Sequence, residues 1–568
     1  MLHRLKEYAD GLNLPPAMYK KTAVPWIVDL DGDGRLLGFV PTSSGKKKDR
    51  GKELVVPHPG SRTSGIKANL LADKAEYALG VYKDNKSRER HQAFVALVNE
   101  CLNSTGDPAV AAVVRFLAGL EKGIIEIPEE ITSEQWVTFR VNDRLVTDIR
   151  AVQEFWYRSH MAGDGSLTEC IICGELRQPV SPHPVNIKGI PGGQTSGLAL
   201  ISANSSAFES YGLEKSLIAP TCHECAERYA TAINKLINQE ETHYRIGSLM
   251  YLFWTRKGSF SPVSLFRTAD PGEVKALLES VKRGRDYTAI DEDAFYATAL
   301  SASGGRVVVR QWLETTVGEV RRYMARWFRL QGIVENNGDP GSPIPLFNLA
   351  ASLYHDANRD MHPNVPRVLL DVALKGGPLP RWLLYLAVKR NRAEQGITRP
   401  RAALIKMVLL SWEKMKGDEE MEKLESQNSD PAYLCGRLLA ELEAVQRAVM
   451  PGTNTTIVDR FFGTASSAPA SVFGRLLRGA QYHLGKLRKT SPGTCHALQE
   501  RLEEIQSRLT YFPKVLTLEQ QALFALGYYH QRAADRAAAR AHAQKKAAGE
   551  DITNSLYLLH SASKPGED

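Results

Sequence analysis

Two CxxC motifs constrain this chain more than any other feature, because together they offer four thiolates to one metal ion. The first is Cys170-Ile-Ile-Cys173 and the second is Cys222-His-Glu-Cys225. Each CxxC turn can direct two sulfur atoms at the same ion, and two turns complete the tetrahedral sulfur shell that suits Zn²⁺. The sequence therefore predicts a structural zinc ion, with four reduced and buried cysteines as the alternative.

The stretch between the two motifs is longer than the roughly 15–20 residues of a compact zinc ribbon. A shared site thus requires the fold to bring two distant knuckles together. His223 is an alternative ligand, although a four-thiolate shell does not need it. The other cysteines, Cys101, Cys435 and Cys495, are scattered without a disulfide pattern, which favours a reducing cytoplasm.

Length and charge limit the classes of protein that this chain can represent. A chain of 568 residues can bury several cores, so three or four domains are expected. Its formal net charge of +8 permits nucleic-acid binding without proving it. The N-terminus reads as an amphipathic helix and not as a signal peptide, and no segment is expected to span a membrane.

Apolar periodicity and turn residues predict an α+β protein. We expect a mixed N-terminal domain with hairpins and helices at 1–165, a Cys-knuckle module with a glycine-rich loop at 166–260, a mixed and mainly helical middle region at 261–413, a charged linker at 414–429 and an all-α C-terminal bundle at 430–568. Asp29–Gly34 begins like a calcium loop, but Val40 stands where a bidentate Glu belongs, so a hairpin turn is favoured.

The pattern also predicts individual elements. Helices are expected over Ser87–Gly119, over much of Ser133–Met161 and almost throughout from Pro366, whereas Phe260–Ser303 should mix short helices with loops and Val307–Leu330 should be a strand followed by a helix. Thr517-Leu-Glu-Gln520 is a capping-box pattern that opens a C-terminal helix.

The segment Gly189–Gly197 between the knuckles suits recognition of a polyanion. It is not a Walker A loop, because no Gly-Lys-Ser/Thr closes it, and it lacks GxGxxG spacing. It offers unhindered backbone N–H groups and a side-chain amide that can donate and accept. We therefore expect Gly192, Gly193 and Gln194 to read a base-pair edge, and Lys188 to contact phosphate.

Three further features could touch nucleic acid. Lys46, Lys47 and Lys48 form a polybasic tip that could neutralise phosphates, with an exposed turn as the plain alternative. Lys67 and Asn69 lie beside a glycine and could read minor-groove acceptors, with an ordinary loop as the alternative. On a C-terminal helix, one face carries cations and an aromatic ring that could contact a strand backbone or base, unless it is simply a solvated face. The residues of that face are Arg475, Arg478, Tyr482, Lys486 and Lys489.

Several strings along the chain resemble one known family. They are Cys170-Ile-Ile-Cys-Gly174, Ser210-Tyr-Gly212, Arg306-Val-Val-Val-Arg-Gln-Trp312, Ala432-Tyr-Leu-Cys-Gly-Arg-Leu438, Asn454-Thr-Thr-Ile-Val-Asp-Arg-Phe-Phe462 and Phe524-Ala-Leu-Gly-Tyr-Tyr-His-Gln-Arg532. Together they resemble the large signature subunit of the type I-C CRISPR surveillance complex, the Cascade of that subtype.

The resemblance implies a non-catalytic role in a guide-RNA-bearing complex with backbone and handle-binding subunits. The large subunit would recognise the protospacer-adjacent motif in double-stranded DNA, promote R-loop formation, support the displaced single strand and help to recruit a helicase–nuclease, while base pairing reads the sequence. The resemblance also implies a separate small subunit made from an internal start, for which Met415 and Met421 are candidates.

Two rival hypotheses remain. An HNH-type nuclease also frames its site with two CxxC knuckles, and His183, Asn204, His223 and Arg228 supply residues of the required kinds. However, the sequence has no His-His pair and no evident compact ββα spacing in this region. The second rival is a zinc scaffold that binds only proteins.

Overall fold

The computed structural model describes residues 1–12, 14–16, 18–43, 49–58, 65–161, 167–203, 205–283, 292–412 and 421–547. They divide into two compact units. The first comprises residues 1–238 with 302–308, and the second comprises residues 239–301 with the residues from 309 onward. Helices and sheets occur in both, which confirms the predicted α+β class. The finer domain boundaries stay predictions.

The first unit contains a mixed sheet covered by helices. Its helices are α1 (Leu2–Asp10), α2 (Ala75–Ala78), α3 (Ser87–Thr105), α4 (Pro108–Glu121), α5 (Arg150–Met161) and α6 (His223–Asn238). Its strands are β1 (Tyr19–Val24), β2 (Trp26–Leu30), β3 (Leu36–Pro41), β4 (Lys52–Pro57), β5 (Ala72–Lys74), β6 (Trp136–Val141), β7 (Arg144–Leu145), β8 (Thr168–Glu169) and β9 (Leu176–Arg177). The main sheet has the order β3-β2-β6-β5, with β7 also paired to β6; β1 pairs with β4, and β8 with β9. Only the β2–β6 pair of these is parallel.

The core of the first unit lies between this sheet and α3 and α4. Phe139 of β6 meets Phe94 of α3 and Phe116 of α4, with ring centroids about 6 Å apart in both pairs. The Asp29–Gly34 segment is the predicted hairpin turn, because the Asp31 carboxylate accepts hydrogen bonds from the backbone N–H groups of the turn. Asp29 itself pairs with Arg140 across the sheet at 2.7 Å.

The second unit combines most of a four-stranded sheet with a large set of helices; residues 302–308, around the turn between the last two strands, belong to the first unit. Its strands are β10 (His243–Ile246), β11 (Leu249–Thr255), β12 (Ala294–Ser303) and β13 (Arg306–Thr316), hydrogen-bonded in that order. Its helices are α7 (Val263–Arg267), α8 (Pro271–Arg283), α9 (Val317–Leu330), α10 (Leu346–Ala351), α11 (Ala357–Asp360), α12 (Asn364–Lys375), α13 (Trp382–Glu394), α14 (Arg399–Trp412), α15 (Pro431–Val449), α16 (Ile457–Ala465), α17 (Phe473–Thr490), α18 (Pro492–Arg508) and α19 (Leu518–Ala547). No helix in the described ranges combines the length and apolarity that a membrane span requires.

Two glycines allow α15 and α19 to pack backbone against backbone. A Cβ on Gly436 would lie 2.0 Å from the carbonyl oxygen of Phe524, and one on Gly527 would lie 2.1 Å from that of Tyr433. Any larger residue at either glycine would force the helices apart. The capping box at Thr517 forms as predicted, since its hydroxyl accepts from the Gln520 N–H and its own N–H donates to the Gln520 side chain.

Two predictions of local structure were wrong. Much of Ser133–Met161 was expected to be helical, but its first half contains β6, whose β-branched and aromatic residues pair with strands on both sides. Phe260–Ser303 contains helices as expected, but it ends in the ten-residue strand β12. The predicted strand and helix of Val307–Leu330 are confirmed as β13 and α9.

Candidate metal centre and glycine loop

Four cysteine sulfur atoms from the two knuckles converge on one point. The Sγ atoms of Cys170, Cys173, Cys222 and Cys225 all lie within 4.8 Å of one another. Tetrahedral zinc with Zn–S bonds of about 2.3 Å separates its sulfur ligands by about 3.8 Å, so this cluster fits the ion. All seven cysteines lie in the described ranges and are free thiols. The donor set, its burial and its spacing therefore fit a structural zinc site.

Each knuckle is held by a different local structure. The first occupies the turn of the β8–β9 hairpin, where the Gly174 N–H donates to the Cys170 carbonyl at 2.8 Å. Gly174 has φ +75, a conformation that favours glycine at this turn. The second knuckle opens α6, with Cys222 just before the helix and Cys225 in its first turn. A helix N-terminus favours negative charge, which suits thiolate ligands.

Hydrogen bonds inside the cluster shift the pKa values of two of its thiols in opposite directions. Hydrogen bonding with Cys225 holds the pKa of the Cys222 thiol below its usual value. The same bond, together with burial, raises the pKa of Cys225. A bound Zn²⁺ would favour the deprotonated form of all four cysteines and would offset two of their four negative charges.

The histidine of the second knuckle lies outside this cluster. His223 is buried, and its Nδ1 lies 3.9 Å from a carboxylate oxygen of Glu227, one helical turn further along. Within the described ranges, the four cysteines are the only group of three or more His, Cys, Asp or Glu residues placed to share an ion.

The glycine loop, Gly189–Gly197, is closed tightly at its ends and open at its tip. φ is +82 at Gly189, +75 at Gly192 and +97 at Gly197. A Cβ on Gly197 would lie 2.6 Å from the Cβ of Asn186, whereas one on Gly192 would meet nothing within 4 Å. The closed ends require glycine, and the open tip leaves room for a ligand to approach the backbone.

The residues that the sequence assigned to this loop lie largely at its surface. Lys188, Gly192 and Gln194 are exposed and Gly193 is half-buried. Gly193 is the more constrained glycine, because a Cβ there would lie 2.8 Å from Leu198. The roles assigned to these four residues stay predictions.

Helix α6 links the metal centre to the loop through one asparagine that sequence reasoning missed. The side-chain amide of Asn234 accepts from the Lys188 N–H and donates to the Asn186 carbonyl, both at 2.9 Å. One turn further on, Ile237 lies where a Cβ on Gly189 would clash at 2.8 Å. The only sequence signal was an asparagine inside a helix, where its propensity is poor.

The other expected DNA contacts of the first unit lie in different environments. Lys67 is exposed, but Asn69 is only 1 % exposed and its backbone N–H donates to Asp73 at 2.8 Å. A base-reading role for Asn69 would thus require its side chain to be uncovered on binding. Lys46–Lys48 lie outside the described residues.

The predicted two-faced helix is present as α17. Its apolar face is buried at Leu476, Ala480, Leu484 and Leu487. The predicted contact residues are all exposed, including Tyr482 at 77 %. These residues are Arg475, Arg478, Tyr482, Lys486 and Lys489. The geometry leaves this face accessible, while its binding to a displaced strand stays a prediction.

Two residues that the nuclease hypothesis requires, His183 and Arg228, make contacts with other side chains of the fold. His183 is buried, its Nδ1 lies 2.6 Å from the Tyr229 hydroxyl, and burial lowers its pKa to about 4. Arg228 pairs with Asp10 at 3.4 Å and with Glu224 at 3.8 Å. Asn204 lies outside the described residues.

Comparison with known proteins assigns the chain to a family. Residues 2–535 match the family model described as CRISPR-associated protein (Cas_Csd1). No curated protein matches the chain. The match covers nearly the whole sequence and confirms the resemblance carried by its motifs. The chain belongs to the Cas_Csd1 family of CRISPR-associated proteins, the large subunits of type I-C complexes.

Proposed function

We propose that this chain is the subunit of an RNA-guided type I-C complex that recognises the protospacer-adjacent motif in double-stranded DNA. In this role it starts R-loop formation, supports the displaced strand and helps to recruit the helicase–nuclease. It acts in the cytoplasm, where four thiolates stay reduced, beside a small subunit and the subunits that hold the guide RNA. The proposed role is recognition of DNA and not catalysis.

The observation that carries this proposal is the glycine loop, which is anchored to α6, the helix that the second knuckle opens. A close backbone approach to DNA needs an exposed and unhindered turn, and Gly192 provides one. Gln194 adds an exposed amide, and Lys188 adds a charge at the base of the loop. Such a loop can place a donor and an acceptor in a groove only if its base is rigid, and Asn234 supplies that rigidity.

The experiment measures binding of the assembled complex to duplexes that match its guide and carry a randomised flanking motif. The parent should select a subset of motifs. Gln194→Ala should widen that subset, whereas Thr195→Ala, an exposed neighbour in the same loop, should leave it unchanged. Lys188→Gln should instead weaken binding to all motifs and lower the salt slope, by comparison with Lys122→Gln elsewhere in the unit.

Two results would overturn the proposal. The first is binding by the parent complex that is independent of the flanking motif. The second is magnesium-dependent nicking by the complex without its helicase–nuclease, abolished by His183→Ala, which would favour the HNH hypothesis. Unchanged selection in the Gln194, Lys67 and Asn69 variants would leave the family intact and reject the assignment of these residues.

A further inference from the structure

A short hairpin in the first unit ends in a tyrosine that the fold does not cover. Ser210 and Leu213 pair across the turn, and the Leu213 N–H donates to the Ser210 carbonyl at 3.0 Å. The two residues between them, Tyr211 and Gly212, have φ +55 and +72. Two-residue hairpins of this kind need φ > 0 at both positions, where Asn, Asp and Gly are the usual residues. Gly212 fits that rule and Tyr211 does not.

Tyr211 combines an unfavourable backbone conformation with nearly complete exposure. A bulky side chain at positive φ is a conformational outlier that costs free energy. Burial of the ring would offset that cost, but the side chain of Tyr211 is 98 % exposed. Neither hairpin geometry nor packing therefore accounts for an aromatic residue at this tip.

A second strained residue follows four positions later. Lys215 has φ +51 and ψ −124, and it is exposed. The surrounding contacts impose this conformation: the Lys215 carbonyl accepts from the Ala203 N–H at 2.9 Å, and the hydroxyl of the buried Ser216 donates to the Ile201 carbonyl at 3.1 Å. The hairpin thus holds one aromatic ring and one cation at its surface, both at positions that favour glycine.

The hairpin is tied to the end of the glycine loop. The guanidinium of Arg306 lies over the ring of Phe208 at 4.2 Å. The backbone on either side of Arg306 bonds to Ala199, which accepts from the Val307 N–H at 2.9 Å and donates to the Gly305 carbonyl at 3.2 Å. Ala199 comes two residues after the glycine loop. The Arg306 side chain therefore contacts Phe208, just before the hairpin, while the backbone of its neighbours bonds to the end of the loop.

We propose that Tyr211 stacks on an unpaired nucleobase and that Lys215 neutralises a neighbouring phosphate of the same strand. Exposed aromatic rings beside cations are the chemistry by which proteins bind single strands without reading sequence. The inference rests on the proposed function, since it places this contact beside the loop that meets duplex DNA. The strand is single-stranded DNA or RNA, and the two sources are separated below.

The test uses the full-length zinc-loaded chain and oligonucleotides that carry one 2-aminopurine, whose fluorescence reports stacking. The arms are single-stranded DNA, single-stranded RNA and a fully paired duplex. We expect the parent to alter the fluorescence of one single strand at least and to leave the duplex signal unchanged. Tyr211→Phe should retain both the signal and the affinity, whereas Tyr211→Leu should lose the signal and bind on the order of tenfold more weakly. Tyr82→Leu is the matched control, because Tyr82 is an exposed aromatic residue elsewhere in this unit.

The strain provides a second and independent readout. Tyr211→Gly should raise the thermal unfolding midpoint, because glycine adopts positive φ without strain, while it weakens single-strand binding as Tyr211→Leu does. Lys215→Gly should also raise the midpoint, and it should lower the salt slope by about 0.7. Unchanged affinity and fluorescence in Tyr211→Leu would overturn the inference, as would an equal loss in the Tyr82 control.

The outcome for this hairpin is separable from that of the proposed function. If the complex shows motif-dependent duplex binding and Tyr211→Leu behaves as the parent on single strands, the inference fails and the function stands. If duplex binding is independent of the motif but the ring still controls single-strand binding, the function fails and the stacking site stands.

Discussion

The backbone N–H of Cys222 donates a hydrogen bond to the Sγ of Cys170 at 3.4 Å. This bond joins the two knuckles directly, because its donor precedes α6 and its acceptor lies in the β8–β9 hairpin. Backbone donors to a ligand sulfur stabilise its thiolate form. The bond would therefore stabilise Cys170 as a ligand, and we expect loss of the ion to weaken the connection between the hairpin and the helix.

Zinc removal should destabilise the first unit, because the proposed role of the ion is structural and not catalytic. We expect about one zinc per chain in the parent and little in Cys170→Ser, because three thiolates leave the shell incomplete. Structural zinc sites contribute about 10 kcal/mol or more of apparent binding free energy, so chelation should lower the thermal unfolding midpoint clearly. Metal analysis and a melting curve measure both effects.

Cys495→Ala is the control for this prediction, since Cys495 is also buried but lies in α18. It should cost some stability through packing and keep its zinc. A full complement of zinc in Cys170→Ser, or a midpoint that chelation leaves unchanged, would contradict the assignment.

The crossing of α15 and α19 should tolerate no side chain at Gly436. A Cβ there would lie 2.0 Å from a carbonyl oxygen and 2.8 Å from the backbone nitrogen of Tyr528. Since backbone atoms cannot move aside singly, we expect Gly436→Ala to lower the free energy of unfolding by about 3 kcal/mol or more. Denaturant titration measures the change.

Gly479→Ala gives the opposite sign and serves as the matched control. Gly479 is also inside a helix, but a Cβ there would meet nothing within 4 Å. Alanine should stabilise α17 by about 0.5–1 kcal/mol. Equal effects of the two substitutions would show that the crossing is looser than described.

The contribution of His530 to stability should be lost on acidification. Burial, and to a smaller extent the charge of Lys406, lowers the pKa of His530 to about 3. An unfolded histidine has a pKa of about 6.5, so between pH 6.5 and pH 3 the unfolded state binds a proton at this residue and the folded state does not. This contribution is fully present above pH 6.5 and is lost as the pH falls towards 3, by up to about 1.4 kcal/mol per pH unit.

The check compares unfolding free energies of the parent and His530→Gln between pH 7 and pH 5, where few carboxylates titrate. Glutamine can still bond to the Tyr433 hydroxyl, which lies 3.0 Å from Nδ1 of the histidine. The variant should have a shallower pH dependence, and His496→Gln, at an exposed position, should match the parent. A steeper dependence in His530→Gln would reverse the assigned sign.

The charged face of α17 should contribute to single-strand binding through phosphate contacts. Arg478→Gln with Lys486→Gln should lower the salt slope of binding by about 1.4, at about 0.7 per released counterion, and weaken binding to all sequences alike. Lys275→Gln, at an exposed position on α8, should leave the slope unchanged. An unaltered slope in the double variant would mark this face as merely solvated.

The metal centre could be predicted from the sequence because its chemistry is local. A CxxC turn presents two thiolates whatever surrounds it, and the fold had only to bring two such turns together. The two faces of α17 could also be predicted from the sequence, since helical periodicity determines which residues share a side. The bond from Asn234 to the base of the glycine loop could not be predicted, because it depends on a partner 46 positions away in sequence.

The strands in the sheet of the second unit were also difficult to predict from the sequence alone. β11 is buried along its whole length and β12 along most of it, so neither has the alternation that marks a half-buried strand. Short apolar runs of this kind are ambiguous until their neighbours are known. The exposure of Tyr211 was also invisible in sequence, where an aromatic residue more often signals a core.

The length of α6 between the metal and the loop anchor matters as much as the identity of its residues. Nine helical steps separate Cys225 from Asn234, a rise of about 14 Å. Deleting one residue between them would turn the amide of Asn234 by about 100° around the helix axis, away from the loop, without touching a ligand. If the proposed function holds, such a protein would bind zinc normally and recognise DNA poorly. Variation in length is thus better tolerated in the exposed turns between the knuckles than within this helix.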